Sequence, residues 1–313
     1  MGDRAFIDYY FIRKRFSRFS HIFNMKILNL INLASDSNIN MGILEQFSLQ
    51  GKVIVVTGAT GILGQSFVKA LGEAKAKVAV LGRNEERGRE RVQEVIHAGG
   101  EAEFFQADVL NEEQLVKTNN IIINRWGNID GLVNAAGGNI PGATIPPNED
   151  LFDTNVSDTI KAIELNLYGS IIPTFVFGKE IAKNGKGSIV NISSLAASRP
   201  LTRVLGYTIA KHGIEGLTKW MATELPLRYG DKVRCNAIAP GVFLTEQNRT
   251  LLTNTDGTYT ERAQKFINGT PYSRLGSPDE LAGTLVYLLS DASRFVNGET
   301  IFVDGGFNTW CGV

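Results

Sequence analysis

Cysteine is scarce in this chain: two residues in 313. That leaves no disulfide framework and points to a reducing compartment. Cys235 sits in the apolar run VRCNAIAP and Cys311 lies near the terminus, and both read as inert. Histidine is equally sparse. None of the three is spaced with another ligand as a zinc site requires, so no metal is expected, and His212 reads as scaffold. Surplus charge is missing too, because Lys plus Arg and Asp plus Glu each number 32. No global field therefore draws the protein to nucleic acid or a membrane surface. No apolar run approaches the roughly 20 residues of a membrane span. These absences lead to the expectation of a cytoplasmic protein that works on a small molecule. What is present, 43% hydrophobic and 20% charged residues, suffices for one sizeable core or two small ones.

Residues 1–41 stand apart, first aromatic and basic (YYFIRKRFSRF), then rich in Asn and Ser. They read as a poorly ordered extension, translated from upstream of a start near Met41. Met25–Ala34 has the outline of a short targeting segment, interrupted by Asn29 and Asn32. From residue 42 to 313 no repeat or linker divides the chain, which predicts a single domain.

The organising stretch is Lys52–Gly64, KVIVVTGATGILG. Val53–Val56 is too short for a helix and has the β-branched composition of a buried strand. Gly58, Gly61 and Gly64 follow, and a small-residue helix pattern opens at Ile62. A strand turning through glycines into a helix cradles phosphate, since backbone N–H groups and the helix N-terminus can approach a pyrophosphate. Taken alone, such a turn also serves as a plain tight turn.

Strand and helix patterns then alternate. Strands are predicted at Lys77–Leu81, Ala102–Ala107, Gly131–Ala135, Ser188–Ile192, the run VRCNAIAP and Thr300–Val303. Helices are predicted at Glu85–Ala98, Glu112–Trp126, a long region containing Asn166, Tyr207–Leu225, Thr260–Ile267 and Pro278–Leu289. This order implies an α/β fold: a single Rossmann-type, doubly wound parallel sheet with helices on both faces. Ligands then bind beyond the carboxyl ends of the strands.

Tyr207 and Lys211 lie four residues apart on one helix and share a face. Ser194 precedes the tyrosine by thirteen residues, at the end of the preceding strand. Together they offer a hydroxyl, a phenol and an ammonium to one pocket. A free phenol titrates near 10, and an acid–base group for neutral pH needs it about 3 units lower. A nearby ammonium and a bound cation favour the phenolate. An isolated Tyr–Lys pair is also what an amphipathic helix makes by accident.

With TGATGILG, Asp108, NAAG at Asn134–Gly137, Asn166, Ser194, the YxxxK pair and PG before Thr245, the chain resembles the short-chain dehydrogenase/reductase family. The resemblance covers nearly all of residues 42–313 and implies an NAD(P)-dependent oxidoreductase acting on CH–OH/C=O. It implies catalytic roles for Asn166, Ser194, Tyr207 and Lys211, with Asn166 positioning a water for proton relay. Cofactor contacts are implied for Gly58, Thr60, Gly61, Ile62, Leu63, Val109, Ala135, Ala136, Pro240 and Gly241. Asp108 would meet the adenine, Asn134 would stabilise the sheet, Lys211 would hold the nicotinamide ribose, and Thr245 would contact the carboxamide. Relatives are usually homodimers or homotetramers. Many members space the last two glycines by one residue, whereas Gly61 and Gly64 have two between them.

Within that family RPLTRV, PGVFLTEQNRTLL, TERAQK and VDGGFNTWCGV resemble the branch of D-mannonate oxidoreductases, or D-fructuronate reductases. That implies interconversion of a keto sugar acid and a hydroxy sugar acid. A carboxylate suits a forked cation, for which Arg203 and Arg249 are candidates, and Asn139 and Gln247 could serve hydroxyls. At the end of the second strand Gly82 stands where an NAD site carries an acid, followed by Arg83 and Asn84. NADP(H) is therefore expected over NAD(H). Two other readings stay open: reduction of another carbonyl, such as a 3-oxoacyl thioester, a polyol or a gluconate-type substrate, and a non-catalytic dinucleotide-sensing protein.

Overall fold

The computed structural model describes residues 42–312, the side chains of Glu246, Gln247 and Thr250 excepted. The expectations for residues 1–41 lie outside the described residues. The chain divides into Met1–Glu45 and Gln46–Val313, and the second unit carries the fold described here.

Seven strands form one parallel sheet: β1 Val53–Thr57, β2 Lys77–Gly82, β3 Glu101–Gln106, β4 Gly131–Asn134, β5 Gly187–Ile192, β6 Val233–Pro240 and β7 Thr300–Val303. Their order is 3-2-1-4-5-6-7. The chain works outward from β1 to β3, then returns to the other side of β1 to start β4. Loops leaving β1 and β4 thus part in opposite directions, and a crevice opens at their carboxyl ends.

The period-2 alternation of β1 explains why both faces are covered. Ile54 and Val56 enter one core with Phe67 and Leu71 of α1 (Ile62–Glu73) and with Leu285 and Leu288 of α9 (Ala282–Leu289). Val53 and Val55 enter the other. There they join Leu115 and Ile122 of α3 (Glu112–Trp126), Phe177 of α5 (Gly169–Lys183) and Met221 of α6 (Leu205–Tyr229). The remaining helices are α2 Glu85–His97, α4 Val156–Ile163, α7 Glu246–Leu252 and α8 Glu261–Asn268.

Three of the differences from the sequence pattern have a plain physical cause. α6 continues past Pro226, where the pattern stops at Leu225. Proline offers no N–H to the carbonyl four residues back, and Asn297 Nδ2 donates to that carbonyl, Ala222 O, at 2.7 Å instead. Pro278–Leu289 is split into a 3₁₀ turn, Pro278–Leu281, followed by α9. The polar stretch after Gly241 contains α7, a helix too short and too polar to show periodicity.

Candidate active site

A cleft of about 700 Å³ runs along the carboxyl ends of the strands, from Gly82 and Arg83 past the glycine turn to Tyr207 and Lys211. That volume is of the size that small-molecule and cofactor sites occupy. Beneath it lies a row of buried polar residues in register across three strands: Thr57 opposite Asn134, and Asn134 opposite Asn191. Thr57 Oγ1 accepts from Ala135 N and Ala136 N at 3.2 and 3.3 Å, which fixes the turn leaving β4. Asn134 Nδ2 donates to Asn191 Oδ1 and Thr174 Oγ1. Asn134 therefore acts beneath the cleft, tying sheet to helix, and does not line it.

Glycine is required at two points of the turn. Gly58 has φ +64°, and a Cβ there would lie 2.6 Å from Ala135 O and Ala136 N. Gly64 has its α1 backbone against Gly58 O and Ala59, so the helix seats directly on the turn despite the wider glycine spacing. Gly61 is the N-cap of α1, with no side-chain cap and no acid in the first turn. The first N–H groups of α1 are thus left for a ligand, with the positive end of the helix dipole behind them. Thr60, Gly61, Ile62 and Leu63 all line the cleft. This cradle fits the pyrophosphate of a dinucleotide.

At the adenosine end, Arg83, Asp108 and Val109 line the cleft. Arg83 Nη1 stands 3.9 Å from Asp108 Oδ2, both substantially exposed. Asp108 Oδ1 accepts from Leu110 N. Asn84 is corrected: it does not line the cleft, and its Oδ1 accepts from Arg87 N at 2.9 Å as the N-cap of α2. The cap instead brings in Arg87, which does line the cleft. The sequence pattern, a charged helix over Glu85–Ala98, did not single it out.

At the other end β5 runs into Ser194, and α6 begins at Leu205, so strand end and helix converge. Tyr207 and Ser194 are joined by a side-chain hydrogen bond, and Ser194 Oγ also accepts from Ala196 N at 3.1 Å. Lys211 is 4% exposed; its Nζ donates to Ile192 O at 2.8 Å and lies 5.4 Å from the Tyr207 ring centroid. Burial lowers the Lys211 pKa from 10.5 to about 8. Burial also raises the Tyr207 phenol above its usual 10, with the Ser194 bond pulling partly back. The expectation of a lowered phenol counted on a bound cation as well as the ammonium; in the chain alone burial is the larger effect, and the resting group is a neutral acid.

Asn166 lies in a π-helical stretch, Glu164–Tyr168, between α4 and α5. Such a bulge shifts the backbone ladder from i−4 to i−5, and the carbonyl of Ala162 accepts from Asn166 Nδ2 at 2.8 Å. The same amide exchanges bonds with Gly138 N and Gly138 O, both at 2.8 Å. A Cβ on Gly137 would sit 2.6 Å from Asn166 Oδ1 and 3.7 Å from Lys211 Nζ. Asn166 is thus wholly buried and locks the loop that roofs Lys211, without lining the cleft.

Pro240, Gly241 and Thr245 line the cleft beside Tyr207, as do Asn139 and Arg203. Arg249 does not, which corrects its assignment. On α7 the cleft takes Asn248, Leu251 and Leu252, spaced as one helical face, and Arg249 projects elsewhere and is exposed. Gln247 lies on α7 with its side chain outside the described residues. The sequence reading passed over Arg262 and Phe266, which share a face of α8 and line the cleft. Arg262 was in view within TERAQK; nothing in that segment distinguished a cleft-facing arginine from a solvated one. Among the described residues no group of three or more His, Cys, Asp or Glu could hold a metal.

A parallel sheet with a dinucleotide cradle and a Ser–Tyr–Lys group at one crevice defines a nicotinamide-dependent oxidoreductase. The chain belongs to the short-chain dehydrogenase/reductase family. A family model for enoyl-(acyl carrier protein) reductase matches residues 58–308. The uncharacterised oxidoreductase UxuB of Bacillus subtilis is 40% identical over 275 residues, 85% of this chain and 98% of that one. A Haemophilus influenzae structure with bound NAD, provisionally named D-mannonate oxidoreductase, superposes with TM-score 0.78 at 38% identity, covering 85% of this chain and 98% of its own. A gluconate 5-dehydrogenase from Burkholderia cenocepacia, in complex with NADP and tartrate, gives 0.76 at 30% identity over 86% and 100%. The protein is an NAD(P)-dependent oxidoreductase acting on alcohol and ketone groups.

Proposed function

We propose that this enzyme interconverts a keto sugar acid and a hydroxy sugar acid of the D-fructuronate/D-mannonate type. The observation that carries the reading is the cation-rich lining of the cleft at its Tyr207 end, in a protein with no net charge. The names of the Haemophilus and Burkholderia relatives point the same way.

When bound, the nicotinamide supplies or accepts the hydride. Glycine-turn N–H groups, Val109, Ala135, Ala136 and the Pro240–Thr245 segment hold the dinucleotide. Ser194 Oγ steadies the substrate oxygen, and Tyr207, neutral at rest, donates its phenolic proton to that oxygen during reduction. Lys211, protonated below about pH 8, faces the phenol and stabilises the phenolate left behind. Asn166 positions the loop over Lys211, and Asn139 serves a substrate hydroxyl. With Gly82 in place of an acid and Arg83 and Arg87 at the rim, NADP(H) is the preferred cofactor. The NAD held by the Haemophilus relative favours the opposite preference.

We place the catalytic domain at residues 42–313, as a homodimer or homotetramer in the cytoplasm. Apolar side chains left exposed on α3 (Val116, Ile121), α5 (Phe175) and α6 (Ile209, Trp220) support the assembly. Among the described residues no helix is long and apolar enough to cross a membrane. The test is nicotinamide absorbance with each cofactor across D-fructuronate, neutral ketoses, polyols and 3-oxoacyl thioesters. Fructuronate should give the highest kcat/KM. Preference for a thioester or polyol overturns the substrate assignment, and no turnover of any overturns catalysis in favour of sensing.

A further inference from the structure

We propose that Arg203 and Arg262 form a carboxylate-binding subsite at the Tyr207 end of the cleft, with Arg262 as its specificity-determining residue. The inference rests on the reading of that end as the substrate site. Among the described residues lining the cleft, five are cationic and one, Asp108, is a carboxylate. Asp108 faces Arg83 at the adenosine end. Neither Arg203 nor Arg262 has a carboxylate partner among the described residues, although surface arginines elsewhere in the fold, such as Arg89 and Arg274, are paired.

Both guanidinium groups are held in place without being neutralised. Arg203 has φ +78°, a left-handed backbone that an ordinary side chain rarely adopts. A two-way bond keeps it there: Ile145 N donates to Arg203 O, and Arg203 Nε donates to Ile145 O, each at 2.9 Å. The bond occupies Nε with a neutral carbonyl and leaves both Nη groups without a protein partner among the described residues. Strain of this kind collects where function requires it. Arg262 lies 5.3 Å over the Phe266 ring, one helical turn along α8, and Phe266 packs in turn on Phe307. The stack fixes the plane of the fork. Arg203 is close enough that its charge, together with burial, lowers the Arg262 pKa. Two half-buried like charges facing one space, with no counter-charge from the protein, are unfavourable until an anion enters. A planar carboxylate matches two such forks.

The test compares D-fructuronate with D-fructose on the cofactor-loaded enzyme, since the two differ in a carboxylate. Arg262→Met and Arg203→Gly, glycine being at ease at that φ, should each raise KM for the acid by roughly 10- to 100-fold. The acid-to-neutral ratio of kcat/KM should fall by the same factor, and Arg262→Lys should restore only part of it. A binding arm measures thermal protection by D-mannonate against D-mannitol: protection by the acid alone is expected, and its loss in both variants. Equal losses on acid and neutral substrates, an unchanged ratio, or no protection of the wild type by mannonate overturns the subsite. If the wild type reduces no sugar acid, yet mannonate protects it and Arg262→Met abolishes protection, the subsite stands and the sugar-acid function falls.

Discussion

The two halves of the cleft are built by different means. The dinucleotide half is made of strand ends, a glycine turn and the uncapped start of α1. Its selectivity lies in where the backbone can go: Gly58 at φ +64°, Gly64 seated on Gly58 O. The substrate half is made of the loop after Asn139, the approach to α6, and the short helices α7 and α8. On the assignment proposed above, its selectivity lies in side chains such as Arg203, Asn248 and Arg262, which line it. One half is constrained by what a pyrophosphate demands of any backbone; the other can change substrate by exchanging single residues on loops.

The predictions probe that division. Gly82→Asp, which restores the acid of an NAD site, should lower the NADP/NAD ratio of kcat/KM by roughly 10- to 100-fold. A Cβ at Gly82 would meet Thr60 Cγ2 at 2.6 Å, so the shift should be complete only with Thr60→Ala. Steady-state kinetics with both cofactors checks it, and an unchanged ratio in the double variant would show that preference is set elsewhere.

The pH response belongs to the junction of the halves. Reduction should be flat below about pH 8 and fall roughly tenfold per unit above, as Lys211 loses its proton. Stability of the ligand-free protein should move the other way at first. Between pH 8 and 9 the unfolded chain binds more protons at Lys211 than the native state does, so stability rises with pH. From 9 upward Cys235, pushed by burial from 9.0 to about 12, opposes that rise, because there the native state holds the extra proton. The melting temperature should rise from pH 8 to pH 9 for the wild type, and that rise should be absent in Lys211→Met. The smallest effect sharpens the substrate half: Arg249→Met should change KM for the acid by less than about twofold, as expected of an exposed charge off the site. A loss as large as that at Arg262 would return Arg249 to the subsite.

The same contrast governs what could be read from sequence. The sheet was legible because short apolar runs, β-branched in β1 (VIVVT) and aromatic in β3 (EAEFFQ), fall between turn residues, and the cradle because its glycines answer a backbone requirement. Helical spacing put Tyr207 and Lys211 on one face, but it took the surrounding motifs of the family resemblance to set them apart from an accidental amphipathic pair. Asn84 misled because a residue after a strand end can cap the next helix as readily as it can face a cofactor. Arg249 misled because α7 shows no periodicity, so its outward face could not be told from Asn248, Leu251 and Leu252. Arg262 was missed because its role depends on how α8 packs, and the raised Tyr207 pKa because burial is a property of the assembled pocket.

The central claim is that the Tyr207 phenol delivers the proton while the cradle holds the cofactor independently. Turnover and nicotinamide fluorescence titration of Tyr207→Phe, measured side by side, test it most directly. The expected result is a kcat lower by roughly 10²- to 10⁴-fold with cofactor affinity within about twofold of wild type. Turnover near the wild-type rate in a variant that binds cofactor normally would contradict it.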